Sequence, residues 1–281
     1  MTIPGSQFFR EASWQLWTAQ LAALVRMELR KNLLRRRNLW IYLLAFAPLI
    51  LIVAHAIVAN EFPLSAETEM LAGIFQFYYL RLAIFFGCMG LFTWLFRGEV
   101  VEKSLHYYFL APVRREVLIA GKFLGGIVSS VLIFGLAVFL CFVLMYGHFA
   151  AGRAFVFSGA GLGHLVAYLG VTALACAGYG SLFLALSLLF KNPILPGIVV
   201  LLWETFHAVL PALLQKLSVM FYLKQLCPVS LPPDDSLALF TVIAEPVSPW
   251  LAIPGLLLLS AAILLFACWR IRRVEVSYLA D

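Results

Sequence analysis

Charge is what this sequence lacks most. Of its 281 residues only 12% are Asp, Glu, Lys or Arg, while 63% are hydrophobic and the mean hydropathy is +0.97. A soluble domain carries about 25% charged residues, so too little polar surface is present to coat a globule. That excludes a soluble protein and predicts an all-α integral membrane protein, one membrane domain with no room for a soluble catalytic domain beside it. Cysteine is also scarce. Four of the five, Cys88, Cys141, Cys176 and Cys268, lie inside apolar runs, which excludes a disulfide framework and leaves them as small core residues. No two histidines stand four apart, so a His-x-x-x-His metal or haem arrangement is excluded, and local spacing shows no nucleophile–base grouping. The net charge of +6 does not point to nucleic acid, because in a membrane chain the position of basic residues reports orientation.

Long apolar runs are what is there. A helix crossing a bilayer needs about 20 mostly apolar residues, and runs at 39–59, 71–96, 123–146, 162–190 and 250–269 meet that length. A sixth, 194–210, is shorter. Basic residues orient them: Arg26, Arg30, Lys31 and Arg35 to Arg37 precede the first, and Arg97, Lys103, Arg114, Arg115 and Lys122 separate the second and third. Lys191 follows the fourth, and Arg270, Arg272 and Arg273 follow the last. The other side carries only Arg153, Lys216 and Lys224, against six acidic residues, among them Glu67 and Asp234. Both termini are therefore expected in the cytoplasm, with six spans in 39–281 after a cytoplasmic segment 1–38. The first apolar run follows a polar N-terminus and a basic cluster, as in an uncleaved membrane anchor.

Two segments outside the spans carry helical signals. Before the first, Val25, Leu29 and Leu33 fall on one side and Arg26 and Arg30 on another, which predicts an amphipathic helix in the interface among membrane lipids. Between the last two spans, 211–247 is apolar but interrupted by Gln215, Lys216, Lys224 and prolines, which predicts outer-face re-entrant or interfacial helices shielded by protein or wetted by a cavity. Gly170, Ala173, Ala177 and Gly180 form a small-residue stripe suited to close helix packing.

The stretch EKSLHYYFLAPVRREVLIAGK, 102–122, is two-faced. A helix over 99–110 would put Val101, Leu105, Tyr108 and Phe109 on one stripe and Glu99, Glu102, Lys103 and His106 away from it. At ~1.5 Å per residue it would be about 18 Å long, too short to span. Pro112 ends it, and Arg114 and Arg115 return the chain to the basic face. This stretch resembles the loop between the second and third spans of ABC-2 type transporter permeases, matching at Glu102, Phe109, Leu110, Ala111, Pro112, Arg115, Gly121 and Lys122, and departing at Lys103-Ser104, where many members carry Gly-Thr. The outline of interfacial helix, six spans and long outer segment is similar over nearly all of the chain.

The resemblance implies a permease of the cell inner (plasma) membrane, acting as a homodimer or with a paralogue. It makes 99–110 a coupling helix that docks on a separate cytoplasmic ATPase, with Glu99, Glu102, Leu105, His106, Tyr108, Phe109, Pro112, Arg114 and Arg115 as the contact. The chain has no Gly-x-x-x-x-Gly-Lys-Ser/Thr loop; its Gly121-Lys122 pair is followed by Phe123. ATP and Mg are therefore expected in the partner, with no cofactor and no catalysis in this chain. An amphipathic drug, lipid or glycolipid is the cargo expected of an exporter with such apolar spans.

Arg81 and Glu204 lie deep inside predicted spans at similar depth, with His207 three residues after Glu204. An unpaired charge there costs at least ~2.5–3.5 kcal/mol, so these side chains are expected to face the interior or water. They either line the substrate path or form an ion pair that fixes how two spans pack. Two other classes use the same residues: an intramembrane enzyme with Glu204 and His207 as acid and base, or an ion-coupled secondary transporter.

Overall fold

Inside a bilayer every backbone N–H and C=O must be satisfied within the protein, and among the described residues every regular element is helical. A computed structural model describes residues 5–58, 63–102, 110, 113–190, 192–231 and 248–271, the side chains of 5–13, 208 and 212 excepted. In chain order the helices are α1 (Gly5–Leu34), α2 (Leu39–Val58), α3 (Leu64–Val101), α4 (Arg115–Gly147), α5 (Ala150–Ser158) and α6 (Gly161–Leu189). They are followed by α7 (Ile194–Thr205), α8 (Ala212–Gln215), α9 (Val219–Leu226) and α10 (Pro249–Ile271). Five of them, α2, α3, α4, α6 and α10, are long and apolar enough to cross a membrane.

The helices outrun the apolar runs that predicted them. α3 starts at Leu64 rather than 71 and continues to Val101, 38 residues in all, or about 57 Å of helix against a hydrocarbon core of about 30 Å. α4 starts at Arg115 rather than 123. The added turns hold Glu67, Glu99 and Lys122, polar residues buried among protein partners rather than in lipid. Hydropathy therefore falls while the helix goes on.

α3, α4 and α6 make the core. The fully buried ring of Phe92 on α3 is clasped between Gly126 of α4 and Gly180 of α6, where an added Cβ would lie only 2.6 and 2.5 Å from it. Phe85 continues this seam, 5.1 Å from Phe183 and 5.3 Å from Tyr179 between ring centroids. Of the expected small-residue stripe only Gly180 is packed this way; Gly170 is exposed with open space around it. α2 and α10 flank the bundle and present large apolar side chains such as Leu43, Ile50, Leu258 and Leu265 outward.

α1 packs along the start of α4. Its buried stripe is Leu24, Glu28 and Asn32, with Val25, Leu29 and Leu33 only half-buried beside it. The sequence pattern pointed one residue away, because two of the three buried positions are polar and carry no hydrophobic signal. Glycine on α4 makes the approach possible: a Cβ at Gly121 would sit 2.7 Å from Leu24 Cβ, and one at Gly125 2.6 Å from Glu28 Cβ.

The run expected as a span at 194–210 is a helix of only 12 residues, α7, closed by a 3-10 turn at His207–Val209. The chain breaks there and re-enters helix at α9, whose Val219, Met220, Phe221 and Leu223 are all buried. α7 lies beside Met89 and Phe183 through Gly197, and α9 beside Gly178 through Val219 and Gly255 through Tyr222. Gln76 of α3 then donates to the Val229 carbonyl at 2.7 Å. The segment 194–229 thus runs antiparallel to α3 from the level of Met89 to that of Gln76, in two pieces. Residues 232–247 of the expected outer segment lie outside the described residues.

Candidate functional site

Two polar layers interrupt this apolar bundle. The first sits at the break between α7 and α9. A helix start leaves backbone N–H groups without intrahelical partners, and Glu204, at the end of α7, meets those of α9. Its Oε1 accepts from the Val219 N–H at 3.0 Å; its Oε2 accepts from the Met220 N–H and the Ser218 hydroxyl, both at 2.8 Å. Ser218 itself caps α9 by accepting from the Phe221 N–H at 3.3 Å. His207, 4% exposed, places Nδ1 2.7 Å from the Glu204 carbonyl oxygen. A carbonyl can only accept, so Nδ1 carries the proton. Every part of this arrangement satisfies groups that the helix break would otherwise strand.

Arg81 belongs to the same layer. It lies in Ile74–Ala83, the middle of α3, which is wound in π geometry, a distortion frequent at functional sites. Tyr179 of α6, fully buried, lies within electrostatic range of both the Glu204 carboxyl and the Arg81 guanidinium. Arg81 and Glu204 nevertheless form no ion pair. Glu204 is taken by three donors at the α9 start, and Arg81 makes no hydrogen bond or ion pair among the described residues, only a contact with the Phe77 ring at 5.5 Å. Of the two readings of these residues, lining a path or pairing two spans, the ion pair is not formed among the described residues.

The second layer lies where α1, α3 and α4 meet. Lys122 of α4, fully buried, donates to Glu28 Oε1 at 2.8 Å, Glu99 Oε1 at 2.7 Å and the Leu95 carbonyl at 2.9 Å. An ammonium has three N–H donors, and all three are used. Lys31 reaches Glu99 at 3.3 Å, and Asn32 donates to Ser129 at 3.4 Å. Toward the surface, Arg35 makes a two-point contact with Glu102 at 2.8 and 3.5 Å, while Arg37 stacks on the Trp94 ring at 4.0 Å. That hydrogen bond from Arg35 holds the Glu102 carboxyl below its usual range. Both side chains are partly exposed, at 39% and 41%, so Arg35→Ala is expected to cost less than about 1 kcal/mol. Because the folded carboxyl is depressed, the contribution is present above the unfolded Glu value of about 4.3 and fades as pH falls through the folded value. Thermal melts of both forms across that range check it.

The stretch expected to couple is framed by this layer on both sides. Arg114 lies over the Trp17 ring of α1 at 4.3 Å, and Arg115 donates to the Ile271 carbonyl at the end of α10 at 3.0 Å. Leu105, His106, Tyr108, Phe109 and Pro112 lie outside the described residues. Glu99 does not face away from an apolar stripe as expected: α3 continues without interruption through 99–101, and Glu99 is 5% exposed. Glu28 was missed, although a lone glutamate among bases in VRMELRK is a signal that it has a partner. Elsewhere, His55 meets the buried Glu67 at 2.9 Å, linking α2 to α3. Among the described residues no group of three His, Cys, Asp or Glu could hold a metal ion.

A family model described as ABC-2 family transporter protein matches residues 24–207, from the buried stripe of α1 to the histidine at the helix break. No curated protein matches the chain. Covering the whole Lys122 layer, Arg81, Tyr179, Glu204 and His207 of the other, and more than half of the sequence, that match shows that the chain belongs to the ABC-2 family of transporters, as a membrane-embedded permease subunit.

Proposed function

We propose that this permease is an exporter of amphipathic molecules, driven by a separate cytoplasmic ATPase that holds ATP and Mg and grips the segment between α3 and α4. The observation that carries this reading is the frame around that segment. Glu99 on its incoming side and Arg114 and Lys122 on its outgoing side bind α1, and Glu102 binds Arg35 just after the end of α1. A push on the segment would therefore move α1, α3 and α4 as one body, since conformational work is transmitted by stiff elements with fixed contacts. The Glu28–Lys122–Glu99 layer supplies the stiffness.

In the same reading α7 and α9 form one broken crossing. Their 12 and 8 residues add up to about 30 Å of helix, the thickness of the hydrocarbon core. The reading then has six crossings with both termini in the cytoplasm, in a permease that pairs with a second copy or a paralogue in the inner membrane. Transporters commonly place cargo at such breaks, which gives the layer of Arg81, Tyr179, Glu204 and His207 its place along the path. Use of Glu204 as a general base or coupling carboxylate is disfavoured, because its oxygens are committed to the α9 start.

The test is association. An ATP-binding subunit is expected to co-purify with the wild-type chain and to be lost from Leu105→Asp and Phe109→Asp, with an unchanged melting curve for the permease. Undiminished co-purification with both variants would overturn the assignment of this segment. Turnover by the isolated chain, without ATP, would favour an enzyme instead.

A further inference from the structure

Among the described residues, Arg81 is a charge deep in the bundle whose position no ion pair or hydrogen bond explains. It stands 17 residues after Leu64 and 20 before Val101, near the middle of α3, roughly 25–30 Å of helix from either end. Both ends of α3 lie beyond a hydrocarbon core about 30 Å thick, which leaves Arg81 near mid-core, too deep for its stem to reach an interface, and a lipid-facing guanidinium there is strongly disfavoured. Buried charges are normally paired. Here the nearby carboxyl, Glu204, is spent on Ser218, Val219 and Met220. The Arg81 Nε is buried without a hydrogen-bond partner. On the same face and one turn earlier, Phe77 is 44% exposed, so this side of α3 is open in the single chain.

From these observations we infer that Arg81, with the Phe77 ring beside it, binds the anionic group of an amphipathic cargo at the level of the helix break. The guanidinium matches the two-pronged geometry of a phosphate or carboxylate, and Phe77 offers an apolar wall to the first carbons of the attached chain. This inference rests on the transport reading for the word cargo, and it narrows the amphipathic class proposed above to its anionic members. Neither Tyr179 nor His207 brings a negative charge to the site, and the His207 Nδ1–H is held by a carbonyl.

The experiment uses the full-length permease alone, in nanodiscs of zwitterionic lipid, so it does not depend on the ATPase. Dodecyl phosphate and dodecylphosphocholine are titrated against it by intrinsic fluorescence. The wild type is expected to bind the phosphate probe about tenfold or more tighter than the zwitterion of equal chain length, Arg81→Lys to keep part of that preference, and Arg81→Gln to lose it. The thermal melt is the second readout. If no protein group pairs with Arg81, Arg81→Gln removes an uncompensated charge, and the melting temperature should stay level or rise. Equal binding of the two probes by the wild type, a preference retained in Arg81→Gln, or a lowered melting temperature in that variant would each overturn the inference, the last by revealing a structural partner. Loss of ATPase association in Phe109→Asp leaves these titrations unchanged, so failure of the coupling assignment and failure of the anion site are told apart.

Discussion

Lys122→Met is expected to destabilise the protein by about 3–5 kcal/mol, the range found when one partner of a buried ion pair is removed. The substitution keeps most of the stem, so little packing is lost. What changes is electrostatics: Glu28 and Glu99, at 2.8 and 2.7 Å from the missing ammonium, would face each other across a nearly dry contact. The Leu95 carbonyl would lose its side-chain donor as well. The helix expected to loosen first is α1, since it docks through this layer and through the Gly121 and Gly125 approach. Unfolding in detergent should therefore show a lowered melting temperature, and limited proteolysis should cut at α1 well before the rest. Neutralising the whole layer as Glu28→Gln, Glu99→Gln and Lys122→Met together should recover much of the loss, because an uncharged cluster leaves no buried charge without a counterion. If Lys122→Met melts like the wild type, α1 is held by other means and the rigid body proposed for coupling does not exist.

Glu204→Ala carries the second large effect. Three donors converge on this carboxyl, and each buried hydrogen bond to a charged or strongly polar acceptor contributes about 1.5–3 kcal/mol. The losses are not additive, because water can enter a loosened site, so a total on the order of 3–5 kcal/mol is expected. It should appear locally. Amide hydrogen exchange at 219–226 should accelerate far more than in α3 or α6, since α9 loses its start while the core seam around Phe92 is untouched. Glu204→Gln should be milder, its amide oxygen keeping one donor while its NH2 group faces the others. This separates Glu204 from Arg81, whose neutralisation is expected to leave stability level or raised although the two share one layer. Uniform exchange along the chain in Glu204→Ala would show that α9 is held by burial alone.

The helical class and the five helices long enough to cross were legible because length and apolarity act locally: about 20 residues that cannot be hydrated favour a helix lying in lipid. The ends were less legible. Glu67, Glu99 and Lys122 look like the edges of spans in one dimension, yet each lies within a long helix and is buried against a partner on another helix. Arg81 and Glu204 were rightly singled out as costly, but cost does not say how it is met. Opposite charges at equal depth suggested a pair, whereas a neighbouring helix start offered Glu204 three donors in fixed positions and left Arg81 without it.

Composition and run length alone determined that this chain is a helical membrane protein, and the stretch around Pro112 carried its likeness to ABC-2 permeases. Tertiary structure decided what the few polar residues do. Glu28 meets Lys122 across 94 residues, and Glu204 meets an N-terminus created only when the chain breaks and folds back. Hydrophobicity is a property of each residue and can be read along a line. Satisfying a buried charge or a stranded N–H depends on which groups lie within about 3 Å in space, and that is settled only once the helices are packed.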